Sequence, residues 1–327
     1  MTLAAAVGLV LLGLALLAGG GDLLVRGATT VARLAGLTPA VIGLTVVAMG
    51  TSLPELTVSV MASLRGQPDI AVGNVVGSNI ANIGLILGIA AVVCPLPIRG
   101  SVVRLEWPIM FLASAAFYLV ARDLVLDRLE AGFFLLSLIA FLGYSVRLAR
   151  REVTAEQERA FEQEVSQFAV DRPARRLHVK RLGLSLVLLV VGIALLVLGG
   201  KWLVDGAVRL AELAGLTERV IGLSIVAVGT SAPEIATSVV AAVRRQADIA
   251  VANAIGSNIF NLLGIMGTAG LILPLRVSPG MLGSDVWWML GIAVLLLLLM
   301  RVGMNLSRAN GIFLLASYAV YLGLLLG

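Results

Sequence analysis

The strongest constraint on this chain is that it contains part of itself twice. VIGLTVVAMGTSLPEL begins at Val41 and VIGLSIVAVGTSAPEI at Val220. DIAVGNVVGSNIANIG begins at Asp69 and DIAVANAIGSNIFNLL at Asp248, again 179 residues later. Aligned without gaps, 41–85 and 220–264 agree at 26 of 45 positions. The match fades upstream, where AGLT at 35–38 recurs at 214–217. An apolar bias alone does not reproduce agreement at Gly, Thr, Ser, Pro, Glu and Asn, which are poor residues to turn toward lipid.

The medium in which this repeat folds follows from composition. The 327 residues are 59% hydrophobic and 13% charged, against about 45–50% and about 25% in soluble domains. Mean hydropathy is +1.03. Too little charge is available to cover soluble domains of this size, which argues against a soluble enzyme or a nucleic-acid binder and for an all-α integral membrane protein. The surplus of 24 Lys and Arg over 19 Asp and Glu belongs to loops rather than to a nucleic-acid footprint. One cysteine, Cys94, allows no intrachain disulfide and is read as an apolar filler. The one histidine, His178, is read as a solvated loop residue among Arg175, Arg176, Lys180 and Arg181.

Stretches of about 20 apolar residues predict ten spans, near 3–31, 37–64, 69–95, 105–121, 129–147, 182–211, 217–243, 248–274, 286–304 and 309–326. The first is read as a span rather than a removable signal, since it lacks a basic n-region. Five spans separate equivalent repeat positions. Five is odd, so the copies enter the membrane from opposite sides, as in many secondary transporters. The predicted architecture is therefore ten transmembrane helices in two inverted-topology five-helix repeats, 1–147 and 182–327, joined by a polar connector, 148–181, partly helical and cytoplasmic. That placement puts 17 of the 24 basic residues inside and both termini outside, although the connector alone supplies nine of the seventeen.

The chemistry concentrates in the repeats. GTSLPE at 50–55 and GTSAPE at 229–234 each place a carboxylate, Glu55 or Glu234, inside an apolar span with no Lys or Arg in its middle. A buried carboxylate needs compensation, and a metal cation supplies it. Pro54 and Pro233 lack an N–H and free the carbonyls of Gly50 and Gly229, loosening Ala48 and Ala227. Thr51, Ser52, Thr230 and Ser231 add hydroxyls. Oxygen-only ligands suit a hard cation such as Ca²⁺. Asn74, Ser78 and Asn82 form a polar stripe at i, i+4, i+8, repeated by Asn253, Ser257 and Asn261. Its members are read as further neutral ligands, or as interhelical hydrogen-bonding groups in the case of Asn74 and Asn253. Asn79 and Asn258 lie off the stripe and are read as structural. Gly73 and Gly77 mark close helix packing. Asp69 and Asp248 suit helix N-termini. Asp22, Arg26, Lys201 and Asp205 are expected to pair or snorkel at span ends, and Trp107, Trp202, Trp287 and Trp288 to mark membrane interfaces.

These motifs resemble the two alpha repeats of the sodium/calcium exchanger family, in the cation/calcium antiporter superfamily. The resemblance implies antiport of Ca²⁺ against Na⁺ by alternating access. It implies a central Ca²⁺ site of Glu55 and Glu234 with the backbone oxygens of Thr51 and Thr230. Flanking Na⁺ sites would use Ala48, Thr51, Ser52 and Ser78, and Ala227, Thr230, Ser231 and Ser257, sharing Glu55 and Glu234. Asn82 and Asn261 match central polar positions. Some members carry Asp at the place of Asn261, so the potassium-cotransporting subtype is left open. Proton-coupled relatives tend to have a G-N-A-x-E pattern, so GTSLPE and GTSAPE favour sodium. Proton-coupled exchange stays as the alternative, and a cation channel as a weaker one. No enzyme, cofactor, nucleic acid or obligatory protein partner is expected: the partners are the two ions and the bilayer, in the cell membrane. The connector is too short for a calcium-sensing domain. The spans near 3–31 and 182–211 are expected to move against the repeat core.

Overall fold

A computed structural model describes residues 2–34, 48–152, 175–243 and 247–326. Among these, eight helices are long and apolar enough to cross a membrane. A ninth span forms if Glu218–Thr230 and Ala232–Val243, bent by 45° at Ser231, are taken together. Its repeat counterpart, expected at 37–64, is described only from Ala48, as Ala48–Thr51 and Leu53–Leu64. Residues 35–47, and with them the start of the first repeat at Val41, lie outside the described residues.

Two spans occupy the centre. Buried residues make up 83% of the apolar 18-residue stretch within Pro68–Val93 and 72% of that within Ile249–Ile272, against 17–39% in the other six. Each central span widens midway into a π-helical segment, Asn82–Leu87 and Phe260–Ile265. Pro68 opens the first at a position where its missing N–H costs nothing. Asp69 lies in the first turn, as expected. The Pro68–Ala81 helix packs against the bent span of the other half. A Cβ on Gly77 would fall 2.6 Å from Leu223 O, and one on Gly73 3.2 Å from Leu223 N. Both glycines therefore form the close-packing surface read from their spacing.

The halves are tied together by exchange. Strand Leu96–Pro97 pairs antiparallel with Asn305–Leu306, and Val125–Leu126 with Leu275–Arg276. Leu96 meets Leu306 as Leu126 meets Leu275. Each pair takes one strand from each half, which sequence periodicity cannot reveal in two-residue strands.

Helices Leu3–Leu34 and Arg175–Ala214 lie side by side through glycines. Gly13, Gly20 and Gly27 recur as Gly192, Gly199 and Gly206, seven residues apart in both helices. A Cβ on Gly20 would sit 2.9 Å from Gly192 O, and one on Gly13 2.9 Å from Gly199 O. The backbones are in direct contact, as small residues permit in membranes. Arg175–Ala214 ends at Gly215, whose φ of +64° suits glycine, and Leu216 N closes the end on Ala211 O at 2.9 Å.

Several polar expectations change. Helices Arg128–Glu152 and Arg175–Ala214 run into both ends of the 148–181 stretch, so the backbone at His178 is helical rather than a loop. Arg, Glu and Leu there are good helix formers and extend ladders begun in the spans. Residues 153–174 lie outside the described residues. The Trp107 indole donates to Ala293 O at 2.8 Å, and its ring stacks on Phe111. Trp287 does face outward. Asp22 pairs with Arg26 one turn on. Asp205 pairs instead with Arg65, tying the long helix to the end of Leu53–Leu64.

One charged tie of the second half rests on Arg219. Arg219 Nε lies 2.6 Å from Asp285 Oδ2 and Arg219 Nη2 2.8 Å from Ser284 Oγ. Tyr321 donates to Asp285 Oδ1 at 3.3 Å. Asp285 is only 2% exposed. The corresponding first-half position to Arg219 is Ala40. Arg219→Leu leaves a buried carboxylate without its cation and is expected to cost about 3–5 kcal/mol. Arg219→Leu with Asp285→Leu should recover most of that loss in thermal unfolding. A double variant no more stable than Arg219→Leu alone would contradict this account.

Candidate functional site

The two GTS-x-PE segments break their helices at Ser52 and Ser231, with matched backbone angles (φ −88°, ψ 9° and φ −78°, ψ 8°). The break sits two residues before each proline. Helices Leu53–Leu64 and Ala232–Val243 start afresh there, so Glu55 and Glu234 fall in a first turn. The positive end of a helix dipole favours a carboxylate at that place.

Both carboxylates are fully buried. Among the described residues neither makes an ion pair, and no cluster of three His, Cys, Asp or Glu side chains occurs. Instead each half hydrogen-bonds the glutamate of the other. Ser52 donates to Glu234 Oε1 at 3.0 Å, and Ser231 donates to Glu55 Oε1 at 3.0 Å. Ser52 lies 3.3 Å from Ser257 Oγ, and Ser231 3.1 Å from Ser78 Oγ.

This exchange alters the expected grouping. Ser78 was placed with Ala48, Thr51 and Ser52 of its own repeat. The fold instead sets its hydroxyl against Ser231 and 3.3 Å from Ala227 O. Ser257 likewise meets Ser52. The cause is the packing of Pro68–Ala81 on the bent span of the opposite half, which carries Ser78 across the repeat boundary. Ala48 begins a short helical turn that ends at Thr51. Thr51 is half-buried and Thr230 fully buried. The Thr230 hydroxyl lies 2.9 Å from Asn74 Oδ1 and 3.0 Å from Val226 O.

Asn74 and Asn253 brace the glutamates from behind. Asn74 Nδ2 donates to Glu55 O at 3.1 Å and Ser59 Oγ at 2.9 Å. Asn253 Nδ2 makes the same contacts with Glu234 O at 3.3 Å and Ser238 Oγ at 2.9 Å. These are interhelical hydrogen bonds, one of the two readings open for this pair. Ser59 and Ser238 were missed from the sequence. Their signal was there: a serine four residues after each glutamate, identical in both copies.

Asn82 and Asn261 sit at the widened, π-helical segments of the central spans and are fully buried. Four buried oxygens, Glu55 Oε2, Glu234 Oε2, Asn82 Oδ1 and Asn261 Oδ1, have no hydrogen-bond partner among the described residues. They form two pairs of repeat equivalents. Buried acceptors ordinarily find donors, so oxygens left over in matched pairs are chemically suited to a hard cation.

A family model for the sodium/calcium exchanger protein matches residues 5–147 and 184–327. The chain belongs to the sodium/calcium exchanger family. Among relatives, the inner membrane protein YrbG of Escherichia coli is 36% identical, covering 98% of this chain and 96% of YrbG. The sodium/calcium exchanger MaX1 of Methanosarcina acetivorans is 34% identical, covering 96% of each. A solved structure of the sodium-calcium exchanger NCX_Mj, soaked with Na⁺ and Sr²⁺, superposes with a TM-score of 0.66 at 30% identity. It covers 98% of this chain and 99% of that one. As a sodium/calcium exchanger family member, the chain carries its two glutamates and its polar stripes in the buried centre, where the halves meet.

Proposed function

We propose that the chain is a secondary antiporter that exchanges Ca²⁺ for Na⁺ by alternating access around Glu55 and Glu234. The observation that carries this reading is the set of four buried, unpartnered oxygens contributed equally by the two halves. The architecture proposed with it is ten spans in two inverted repeats, 1–147 and 182–327. The 148–181 connector is placed in the cytoplasm and both termini outside, in the cell membrane. The family model's separate matches to 5–147 and 184–327 support that division, and the name of the inner membrane relative supports the location.

Two ionised carboxylates give the site a charge near −2. One Ca²⁺ neutralises it, as do two Na⁺, and the two ions compete for the same oxygens. Glu55, Glu234 and the backbone oxygens of Thr51 and Thr230 are assigned to Ca²⁺. Sodium would use the carbonyls at Ala48 and Ala227, with Ser52, Ser78, Ser231 and Ser257. Each of these serines lies in a cross-repeat pair next to a glutamate, so loading one half is felt by the other. A site stripped of cations resists closure, because unpaired charge would enter a low-dielectric interior. Transport one way then requires return with the other ion. Leu3–Leu34 and Arg175–Ala214, joined through their glycines, are the natural unit to shift against the centre. Cross-linking both to the core should stop exchange.

The deciding measurement uses purified protein in calcium-loaded vesicles at fixed pH. An inward sodium gradient is expected to drive calcium efflux, and its collapse to stop it. Calcium flux indifferent to sodium but driven by a pH gradient would replace this reading with proton-coupled exchange. Unitary currents in a planar bilayer would replace it with a channel.

A further inference from the structure

Asn79 and Asn258 lie off the polar stripe, and among the described residues their side-chain hydrogen bonds go to each other, to Asn82 and Asn261 and to two methionines. Both are buried and joined across the repeat boundary. Asn258 Nδ2 donates to Asn79 O at 3.2 Å, and Asn79 Nδ2 donates to Asn258 O at 3.4 Å. Each amide nitrogen also faces a methionine sulfur of the flanking span: Met110 at 3.5 Å from Asn258, Met289 at 3.7 Å from Asn79. A backbone carbonyl can only accept. These bonds therefore settle which way each carboxamide points.

The consequence passes to the next residue. With Nδ2 committed to a carbonyl, Asn258 Oδ1 must point the other way, where it accepts from Asn82 Nδ2 at 2.9 Å. Asn79 Oδ1 accepts from Asn261 Nδ2 at 3.1 Å in the same manner. A carboxamide is planar, so holding Nδ2 on one side turns Oδ1 to the other. Asn82 Oδ1 and Asn261 Oδ1 are the oxygens left buried without a partner. Flipping Asn82 would set its oxygen against Asn258 Oδ1, two acceptors in contact, and put an N–H₂ donor where the unpartnered oxygen now lies.

We propose that Asn79 and Asn258 are positioning residues: each orients the carboxamide of the other half's central asparagine, Asn261 or Asn82, so that oxygen rather than nitrogen faces the cation site. This rests on the cation-exchange reading above. An amide N–H₂ carries partial positive charge and repels the ion that the oxygen would bind. The stripe supplies oxygen toward the site only because residues outside it hold the amides in place. Each half also sets the ligand of the other, which keeps the two central donors equivalent.

The test compares the KM for Ca²⁺ in sodium-driven exchange. Asn258→Leu removes the acceptor and frees Asn82 to flip, and KM should rise about tenfold, the cost of roughly one oriented hydrogen bond. In an Asn82→Asp background either face of residue 82 is oxygen, so adding Asn258→Leu should change KM by less than about twofold. Equal losses with and without Asn82→Asp would mean that Asn258 only packs, and would overturn the proposal. If Asn258→Leu misfolds, Asn258→Ser, too short to reach the Asn82 amide, replaces it. Wild-type vesicles without calcium exchange would overturn the proposed function itself. Exchanging wild type with equal losses in both backgrounds overturns the positioning role alone.

Discussion

Glu55→Gln and Glu234→Gln are each expected to lower calcium exchange at least about a hundredfold while leaving the protein folded. A glutamine keeps the shape and one carbonyl oxygen but removes a unit of negative charge. The site falls from about −2 to about −1, which no longer matches a divalent ion. Losing one charged partner of a desolvated pair costs about 3–5 kcal/mol, and each 1.4 kcal/mol is about tenfold. The fold should not suffer, because without cations the glutamate is the costly residue and the amide the cheaper one. Ser52 and Ser231 can still donate to the amide oxygen. Thermal unfolding separates the two effects. The wild type should gain about 2.7 kcal/mol at a Ca²⁺ concentration a hundred times its Kd, and each variant should lose most of that gain. Either variant exchanging calcium within about threefold of wild type would refute the assigned site.

The second large effect is expected at the glycine seam, and it discriminates between adjacent residues. Gly19 and Gly20 are consecutive in one helix. Among the described residues a Cβ on Gly19 meets nothing within 4 Å. A Cβ on Gly20 meets Gly192 O at 2.9 Å, Leu196 N at 2.9 Å and Leu195 Cβ at 3.0 Å. Backbone atoms of a helix cannot move aside singly, so the helices must separate. Gly20→Ala should cost about 1–3 kcal/mol, as overpacking does. Gly19→Ala should be neutral or gain up to about 1 kcal/mol from helix propensity. Gly192→Ala should resemble Gly20→Ala, since its Cβ would lie 2.9 Å from Gly20 O. The double variant should cost less than the sum, because one separation relieves both contacts. Indistinguishable unfolding of Gly19→Ala and Gly20→Ala would refute the seam.

Much of the site was legible before any coordinates. A carboxylate in an apolar span with no cation beside it is costly wherever the span goes, and two in matched context are hard to explain by packing. That singled out Glu55 and Glu234. The i, i+4, i+8 spacing singled out Ser78, Asn82, Ser257 and Asn261 for a similar reason, since three polar groups on one helix face need something polar opposite. The glycine heptads were equally readable: 13–27 and 192–206 agree at nine of fifteen positions at the same offset of 179, so the repeat extends into these helices. Ser59 and Ser238 were passed over because a serine inside a membrane helix can bond its own preceding turn. Its use as a brace depends on which helix lies opposite.

The primary structure alone determined the membrane setting, the twofold internal repeat and the two residues that must be compensated. Each is read directly from the sequence: apolar length, identity between segments 179 residues apart and the cost of a buried charge. Only the tertiary structure decided partnership. Ser52 donates to Glu234 rather than Glu55, Ser78 faces Ser231 rather than Ser52, and Asn79 accepts from Asn261 of the other half. An internal repeat leaves these choices open, because each group and its repeat copy are chemically the same. The packing of Pro68–Ala81 against the opposite bent span resolves them, since Gly73 and Gly77 let those backbones meet and bring the two halves within hydrogen-bonding reach.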